Sequence, residues 1–192
     1  MPTHVALLRG INVGSHNQVA MADLRALVAD LGHTEVTTYL RSGNVIFTAA
    51  PDAAGAATEA LAADFERAIA KALDLRLRVV VVSGAELARV VRDNPYPDEP
   101  NPKALHAVFL SEDPGADLAE RVDAARATAA AKGSRDTARI VGKALYLHTP
   151  DGFGRSELGA ALSKIGAKKE TGLAGTARNW ATVTALHARF QA

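Results

Sequence analysis

The side chains best suited to bind a ligand lie in a polar segment that follows the first apolar run of the chain. Residues 10–19 (GINVGSHNQV) include Asn12, Gly14, His16 and Asn17, which offer side-chain or backbone hydrogen-bond donors. A connection between a strand and a helix usually takes about 2–6 residues, and this one takes about ten. Donors concentrated in a long loop before a helix N-terminus suit a phosphate or a carboxylate.

Two arginines are expected to lie beside this loop. Arg9 ends the apolar run, and Arg41 and Asn44 flank a tight turn signalled by Ser42-Gly43. The strand before the loop and the strand before the turn run the same way, because the helix between them returns the chain. Their carboxyl ends should therefore share one end of a sheet.

These residues define a predicted site for a small anionic ligand that carries phosphate or carboxylate. Its members are Arg9, Asn12, Gly14, His16, Asn17, Arg41, Ser42 and Asn44. The alternative hypothesis is that the polar side chains satisfy the backbone groups of the long loop itself.

A second candidate anion site surrounds residues 151–156 (DGFGRS). An arginine at a helix start opposes the helix dipole at a cost of about 0.3–1 kcal/mol when exposed, and a bound anion would reverse that effect. Arg178 is predicted in the first turn of the last helix. The site would comprise Gly152, Gly154, Arg155, Ser156 and Arg178, with Lys164, Lys168 and Lys169 as a basic rim. The alternative is solvated arginines, or arginines paired with Asp151 or Glu157.

Composition and spacing exclude several kinds of active site. The chain has no cysteine, which excludes disulfides, thiolate zinc sites, iron–sulfur clusters and cysteine nucleophiles. The histidines show no H-x-x-x-H or H-E-x-x-H spacing, so no metal site is expected. No phosphate-binding P-loop and no G-x-S-x-G nucleophile elbow occurs. His16 and His148 are the only acid–base candidates, and no motif identifies a catalytic residue or a cofactor.

Hydrophobic periodicity predicts the elements that must position these residues. Strands are predicted over residues 4–9, 36–41, 44–48, 78–82, 104–110, 137–141 and 144–149. Helices are predicted over residues 20–31, 54–73, 83–94, 113–132, 156–165 and 177–190. Ser83 and Glu86 have the spacing of a capping box, and Trp180 is predicted to belong to the core.

The element order predicts an α+β protein with two ferredoxin-like (alpha-beta plait) subdomains of mainly antiparallel sheets and helices. The first half follows the order β-α-β-β-α-β, and the second repeats β-α-β-β-α with weaker closure. The predicted divisions are residues 1–83 for the first plait, 84–103 for a capped helix and proline-rich connector, and 104–192 for the second plait with a C-terminal helix.

Five blocks carry a resemblance that spans the chain: ALLRGINVG (6–14), TYLRSGNVIF (38–47), LHAVFLS (105–111), YLHTPDGFGRSEL (146–158) and TARNWATVTAL (176–186). In that order and spacing the chain resembles the bacterial domain-of-unknown-function 1697 family. The resemblance implies two alpha-beta plait subdomains and implies no activity. The sequence departs from the family pattern at Ser15, where a second glycine is usual, and over residues 167–175, which are longer and more basic.

Three function classes follow, of which anion binding is favoured. An enzyme that acts on a phosphorylated or carboxylated metabolite is a variant of this first class. A single-stranded RNA-binding plait is the first alternative, but the first predicted strand has no aromatic residue and the net charge is only +1. A protein-interaction scaffold is the second. The sequence predicts neither a membrane segment nor a leader, so a cytoplasmic location is expected.

Overall fold

The computed structural model describes residues 1–53, 57–162 and 173–191 as an α+β protein with two four-stranded antiparallel sheets. The chain divides into two compact units. The first comprises Met1–Ala88 with Leu186–Ala192, and the second comprises Arg89–Ala185.

The sheet of the first unit has the strand order β2-β3-β1-β4. Its strands are β1 (His4–Leu8), β2 (Thr34–Tyr39), β3 (Asn44–Thr48) and β4 (Val79–Ser83). β1 is antiparallel to both β3 and β4, and β3 is antiparallel to β2, so β1 and β2 run in the same direction. The carboxyl ends of β1 and β2 therefore lie at one end of this sheet, as the sequence predicts.

The helices of the first unit are α1 (Met21–Asp30), α2 (Thr58–Leu73) and α3 (Gly84–Arg92), the last of which extends into the second unit. Apolar residues at helical spacing on α1 and α2 pack against one face of the sheet, where Phe47 and Phe65 are fully buried. The other face is also buried, since Val5 and Leu7 are 0% exposed. The predicted capping box forms, with the Glu86 N–H donating to Ser83 Oγ over 3.2 Å and the Ser83 N–H donating to Glu86 Oε2 over 2.9 Å.

The second unit repeats this strand order as β6-β7-β5-β8. Its strands are β5 (Leu105–Leu110), β6 (Thr137–Val141), β7 (Ala144–His148) and β8 (Gly175–Asn179). Its described helices are α4 (Ala116–Ala131), α5 (Glu157–Leu162) and α6 (Trp180–Ala188). The last of these helices extends into the first unit. Val122 and Leu158 belong to a cluster on one face of the sheet. Trp180 packs against Tyr146 on the other face, which confirms its predicted core role.

Strand β8 corrects the prediction of a helix that begins at residue 177. The segment GTARN has a single β-branched residue and no apolar run, so its pattern does not predict a strand. It becomes a strand by pairing along β5, from His106 with Asn179 to Leu110 with Gly175. The sheet thus gains the fourth strand that the sequence analysis missed, and α6 begins only at Trp180.

Three predictions lie partly or wholly outside the described residues. The predicted second helix begins at residue 54, whereas α2 is described from Thr58. The predicted helix over 156–165 is described only as α5, and the candidate lysines Lys164, Lys168 and Lys169 lie in the undescribed segment. In the part of the chain that the structure covers, no helix is long and apolar enough to span a membrane.

Gly84 tests the packing of the C-terminal residues within the first unit. A Cβ at position 84 would lie 2.8 Å from Cδ1 of Phe190, closer than carbon atoms approach. We expect Gly84→Ala to lower the free energy of unfolding by about 1–3 kcal/mol, because the phenyl ring must move. Gly154→Ala is the control, since its Cβ meets no atom within 4 Å. Urea denaturation of both variants measures the difference, and equal stabilities would contradict the predicted clash.

Candidate functional site

The structure brings the polar loop, residues 9–20, onto the turn between β2 and β3, residues 40–43. The Leu8 N–H donates to the Gly43 carbonyl over 2.8 Å, next to the last register pair of β1 and β3. Asn12 Nδ2 donates to the Arg41 carbonyl over 2.8 Å. Segments about thirty residues apart in sequence therefore meet at one end of the sheet, which we call the loop end.

Asn12 holds the loop in place through one carboxamide. Its Oδ1 accepts from the Val19 N–H over 2.9 Å, and its Nδ2 also donates to the Val19 carbonyl over 3.1 Å. The backbone at Asn12 has a φ of +53°, a left-handed conformation that asparagine tolerates better than most residues. Asn17 closes the other side of the loop by donating from Nδ2 to the Gly10 carbonyl over 2.9 Å.

The turn between β2 and β3 is held by a buried side-chain amide and by a close backbone approach. Asn44 is fully buried, and its Nδ2 donates to the Tyr39 carbonyl over 2.8 Å and to Ser42 Oγ over 3.1 Å. Gly43 has a φ of +79°, and a Cβ there would lie 2.8 Å from the Leu8 Cβ. The amides of Asn12, Asn17 and Asn44 are thus engaged with protein groups, as the alternative hypothesis for this loop expects.

The loop end also carries the charged or titratable side chains of Arg9, Arg41 and His16. Arg9 is partly buried, and the loss of hydration lowers the pKa of its guanidinium. Arg41 is exposed, and within the described residues its side chain forms no hydrogen bond or ion pair. His16 is exposed at the tip, where its N–H closes a tight turn on the Val13 carbonyl over 3.1 Å, and Gly14 lies inside that turn.

Helix α1 begins at the same end without a capping side chain. Its N-cap residue is Ala20, which makes no side-chain hydrogen bond to the first turn. The first N–H groups of a helix have no partner within the helix, and they carry a partial positive charge. The structure therefore brings two arginines and an uncapped helix start to the same end of the sheet.

The residues of the second candidate site are divided between two faces of the second sheet. Ser156 caps α5, because its Oγ accepts from the Gly159 N–H over 2.7 Å while donating to Asp136 over 2.7 Å. Arg155 and Gly154 are exposed beside it, and Gly152 has a φ of +99°. Asp151 is paired with Arg135 and not with Arg155.

Arg178 lies elsewhere, in strand β8 and not in the first turn of a helix. Its cross-strand partner is Ala107, whereas α5 packs on the opposite face with Val108. The Arg178 side chain is 8% exposed and donates to Thr176 Oγ1 over 2.8 Å. Burial lowers the pKa of its guanidinium to about 10. The structure therefore keeps Arg178 apart from Ser156.

The second unit contains a cluster of polar and aromatic side chains, of which the sequence analysis selected only His148. His148, an acid–base candidate, is bonded through Nε2 to the Glu99 carboxylate and stacks on Tyr96 at a ring-centroid distance of 5.1 Å. The Tyr96 hydroxyl accepts from Thr137 Oγ1 over 2.9 Å. Glu99 and Tyr96 belong to the proline-rich segment, whose sequence shows no periodicity that could place them beside β7. This cluster fastens that segment to the sheet.

No group of three or more histidine or carboxylate side chains that could hold a metal ion occurs among the described residues. The loop end offers cations and backbone donors, and it also carries the exposed side chains of His16 and Ser42.

Asn12→Asp tests whether the carboxamide holds the loop. The substitution keeps the acceptor for the Val19 N–H but removes both donors, and it brings a negative charge against the Arg41 and Val19 carbonyls. We expect unfolding in urea to show a loss of about 2 kcal/mol, since two hydrogen bonds of about 1 kcal/mol each are lost. Gln18→Glu is the control, because Gln18 bonds only within the exposed part of the loop. A variant as stable as the wild type would contradict this role of Asn12.

The Glu99–His148 pair predicts a pH dependence of stability. The backbone N–H of Asn101 and then the bond with His148 lower the pKa of the Glu99 carboxyl. A carboxyl whose folded pKa is lowered stabilises the protein above its unfolded pKa of about 4.3, and this stabilisation is lost as the pH falls through the folded value. The advantage of the wild type over Glu99→Gln should therefore be present at pH 6 and shrink towards pH 3.

Urea midpoints measured across this pH range give the comparison. Glu112→Gln is the matched control, because Glu112 is exposed and has no polar partner among the described residues. An advantage of the wild type that does not change with pH would contradict the coupling.

Comparisons with known proteins agree with this architecture. The model of the family described as "Protein of unknown function (DUF1697)" matches residues 1–146. No curated protein matches the chain. Among solved structures, the chain is similar to the conserved bacterial protein SP0830 from Streptococcus pneumoniae, with a TM-score of 0.68, 19% sequence identity and coverage of 97% of each chain. That likeness shows a shared fold over the whole length. Since the family model covers well over half of the sequence, the chain belongs to the DUF1697 family.

Proposed function

We propose that this protein binds a small ligand bearing phosphate or carboxylate at the loop end of its first unit. The observation that carries the proposal is the bond between Asn12 and the Arg41 carbonyl, which holds the long loop against the turn. Arg9 and Arg41 thereby lie at the same end of the sheet as the uncapped start of α1. Guanidiniums and helix N-termini are the groups that proteins most often use to bind oxyanions.

The second unit supports this proposal as an internal comparison. We propose that both units are ferredoxin-like plaits, since each has the strand order of that fold and helices at the expected places. In the second unit the Leu110 N–H donates to the Lys143 carbonyl, the counterpart of the bond from Leu8 to Gly43. There β5 is joined to α4 by residues 111–115, whereas residues 9–20 join β1 to α1. The loop of the first unit is therefore longer than the same connection in the second unit.

The buried sheet faces argue against the alternative of an RNA-binding plait. Such modules stack bases on aromatic side chains of an open sheet surface. Here Phe47 lies in the core beneath α2, and Ile46 on the other face is 2% exposed. Nucleobases therefore have no exposed aromatic platform on the first sheet.

Thermal unfolding of the full chain with inorganic phosphate tests the proposal. At tenfold the dissociation constant a ligand stabilises the folded state by about 1.4 kcal/mol. For a chain of this size that corresponds to a rise in Tm of about 3–6 °C. Sodium chloride at equal ionic strength separates specific binding from screening.

Arg41→Ala should remove most of the phosphate-dependent rise in Tm, and Arg9→Ala with Arg41→Ala should remove all of it. Arg67→Ala is the matched control, because Arg67 is exposed on α2 of the same unit and is paired with Asp64. A rise that persists in the double variant, or that is lost equally in the control, would disprove binding at the loop end.

A further inference from the structure

The loop end carries two further arginines that the sequence analysis did not select. Strand β4 starts at this end, because Leu8 pairs with Val79 and the Arg9 N–H donates to the Arg78 carbonyl over 2.9 Å. The segment that leads into β4, residues 74–78, therefore lies at the loop end and includes Arg76.

Arg76 and Arg78 have different surroundings. Arg78 is partly buried and is paired with Glu66, Nε to Oε1, at 3.4 Å. Arg76 is exposed, and its side chain has no hydrogen bond or ion pair with any described residue. Arg76 therefore joins Arg41 as a second exposed cation at the loop end, on the opposite side of Arg9.

Charge is distributed unequally between the two ends of the first sheet. The loop end receives Arg9, Arg41, Arg76 and Arg78 from three separate connections, together with Lys71 in the last turn of α2. Its acidic residues are Asp23 in the first turn of α1 and Asp74 at the C-cap of α2. The opposite end, where β2 starts and β3 stops, receives the carboxylates Asp30, Glu35, Asp52 and Glu59. The α-amino group of Met1 offsets one of these, since it lies 3.0 Å from Glu35. Positive potential is therefore concentrated at one end, although the whole chain is nearly neutral.

Two more guanidiniums flank the turn between β2 and β3. Arg25 Nη1 on α1 donates to Thr38 Oγ1 over 2.9 Å, and the guanidinium of Arg189 lies 4.1 Å from the ring centroid of Tyr39. Thr38 and Tyr39 are consecutive residues of a strand, so these two cations lie on opposite faces of β2. They add to the potential of the loop end from both sides.

The spread of these cations bears on the size of the ligand. Neighbouring strands lie about 4.8 Å apart, so the ends of β3, β1 and β4 extend over about 10 Å. A single phosphate group can accept from one or two guanidiniums, whereas linked phosphates can engage cations along the whole row.

Resting on the proposed function, we infer that the ligand of the loop end is a small polyphosphate, with Arg9 and Arg41 on one phosphate group and Arg76 on another. A long nucleic acid is less suited, because its backbone would extend beyond a basic row of this width and the chain as a whole offers a net charge of only +1.

Calorimetric titrations of the full chain with orthophosphate, tripolyphosphate and a twelve-residue oligouridylate, without divalent cations and at fixed ionic strength, test this inference. We expect tripolyphosphate to bind at least about tenfold more tightly than orthophosphate, because each charge-assisted contact contributes about one power of ten. Arg76→Ala should weaken tripolyphosphate binding about tenfold and change orthophosphate binding less than about twofold. Arg67→Ala should change neither.

The outcomes separate this inference from the proposed function. If orthophosphate binds and depends on Arg41, but tripolyphosphate binds no better or ignores Arg76→Ala, the polyphosphate inference is wrong and the anion site stands. If neither anion binds, both are wrong. Oligouridylate that binds more tightly than tripolyphosphate would overturn the inference in favour of a nucleic acid ligand. Thermal unfolding of Arg76→Ala verifies that the exposed substitution leaves the fold intact.

Discussion

One carboxamide decides the geometry of the loop end. Asn12 satisfies both backbone groups of Val19 and reaches the Arg41 carbonyl, so a single side chain fixes where the long loop closes and what it closes against. The side-chain amides of Asn12 and Asn17 donate to backbone carbonyls of the protein, as the alternative hypothesis for the loop expects. These hydrogen bonds fix the loop and the turn that carry Arg9 and Arg41.

The two units have the same strand order but differ in the connection that follows the central strand. Each has a central strand whose last N–H donates to the neighbouring hairpin, and each has a helix that follows that strand. The first unit has a long loop and Arg9 after its central strand, whereas the second has a short connection that contains Glu112 and Asp113. The connection after the central strand can thus be short in this topology, so the topology does not set the length of the loop in the first unit.

Burial sets limits on what each arginine can do. Arg178 is enclosed in the second sheet and bonded to Thr176, so its role is internal. Arg41 and Arg76 are exposed, and no carboxylate among the described residues pairs with them. Exposed cations at one end of a sheet whose other end is acidic produce a field directed along the strands.

The amino-acid sequence alone determined most of the secondary structure and the meeting of residues 9–20 with the β2–β3 turn. Apolar periodicity identifies seven of the eight strands in the described residues, and the rule that a helix returns the chain brings the ends of β1 and β2 together. Strand β8 depends on tertiary structure, because GTARN has no strand pattern of its own and is ordered by pairing with β5. The same holds for Arg76, whose place beside Arg9 follows from the pairing of β4 with β1, and for Arg178, whose burial follows from β8. Local pattern specifies which segments form strands, but only the pairing of distant strands decides which side chains become neighbours.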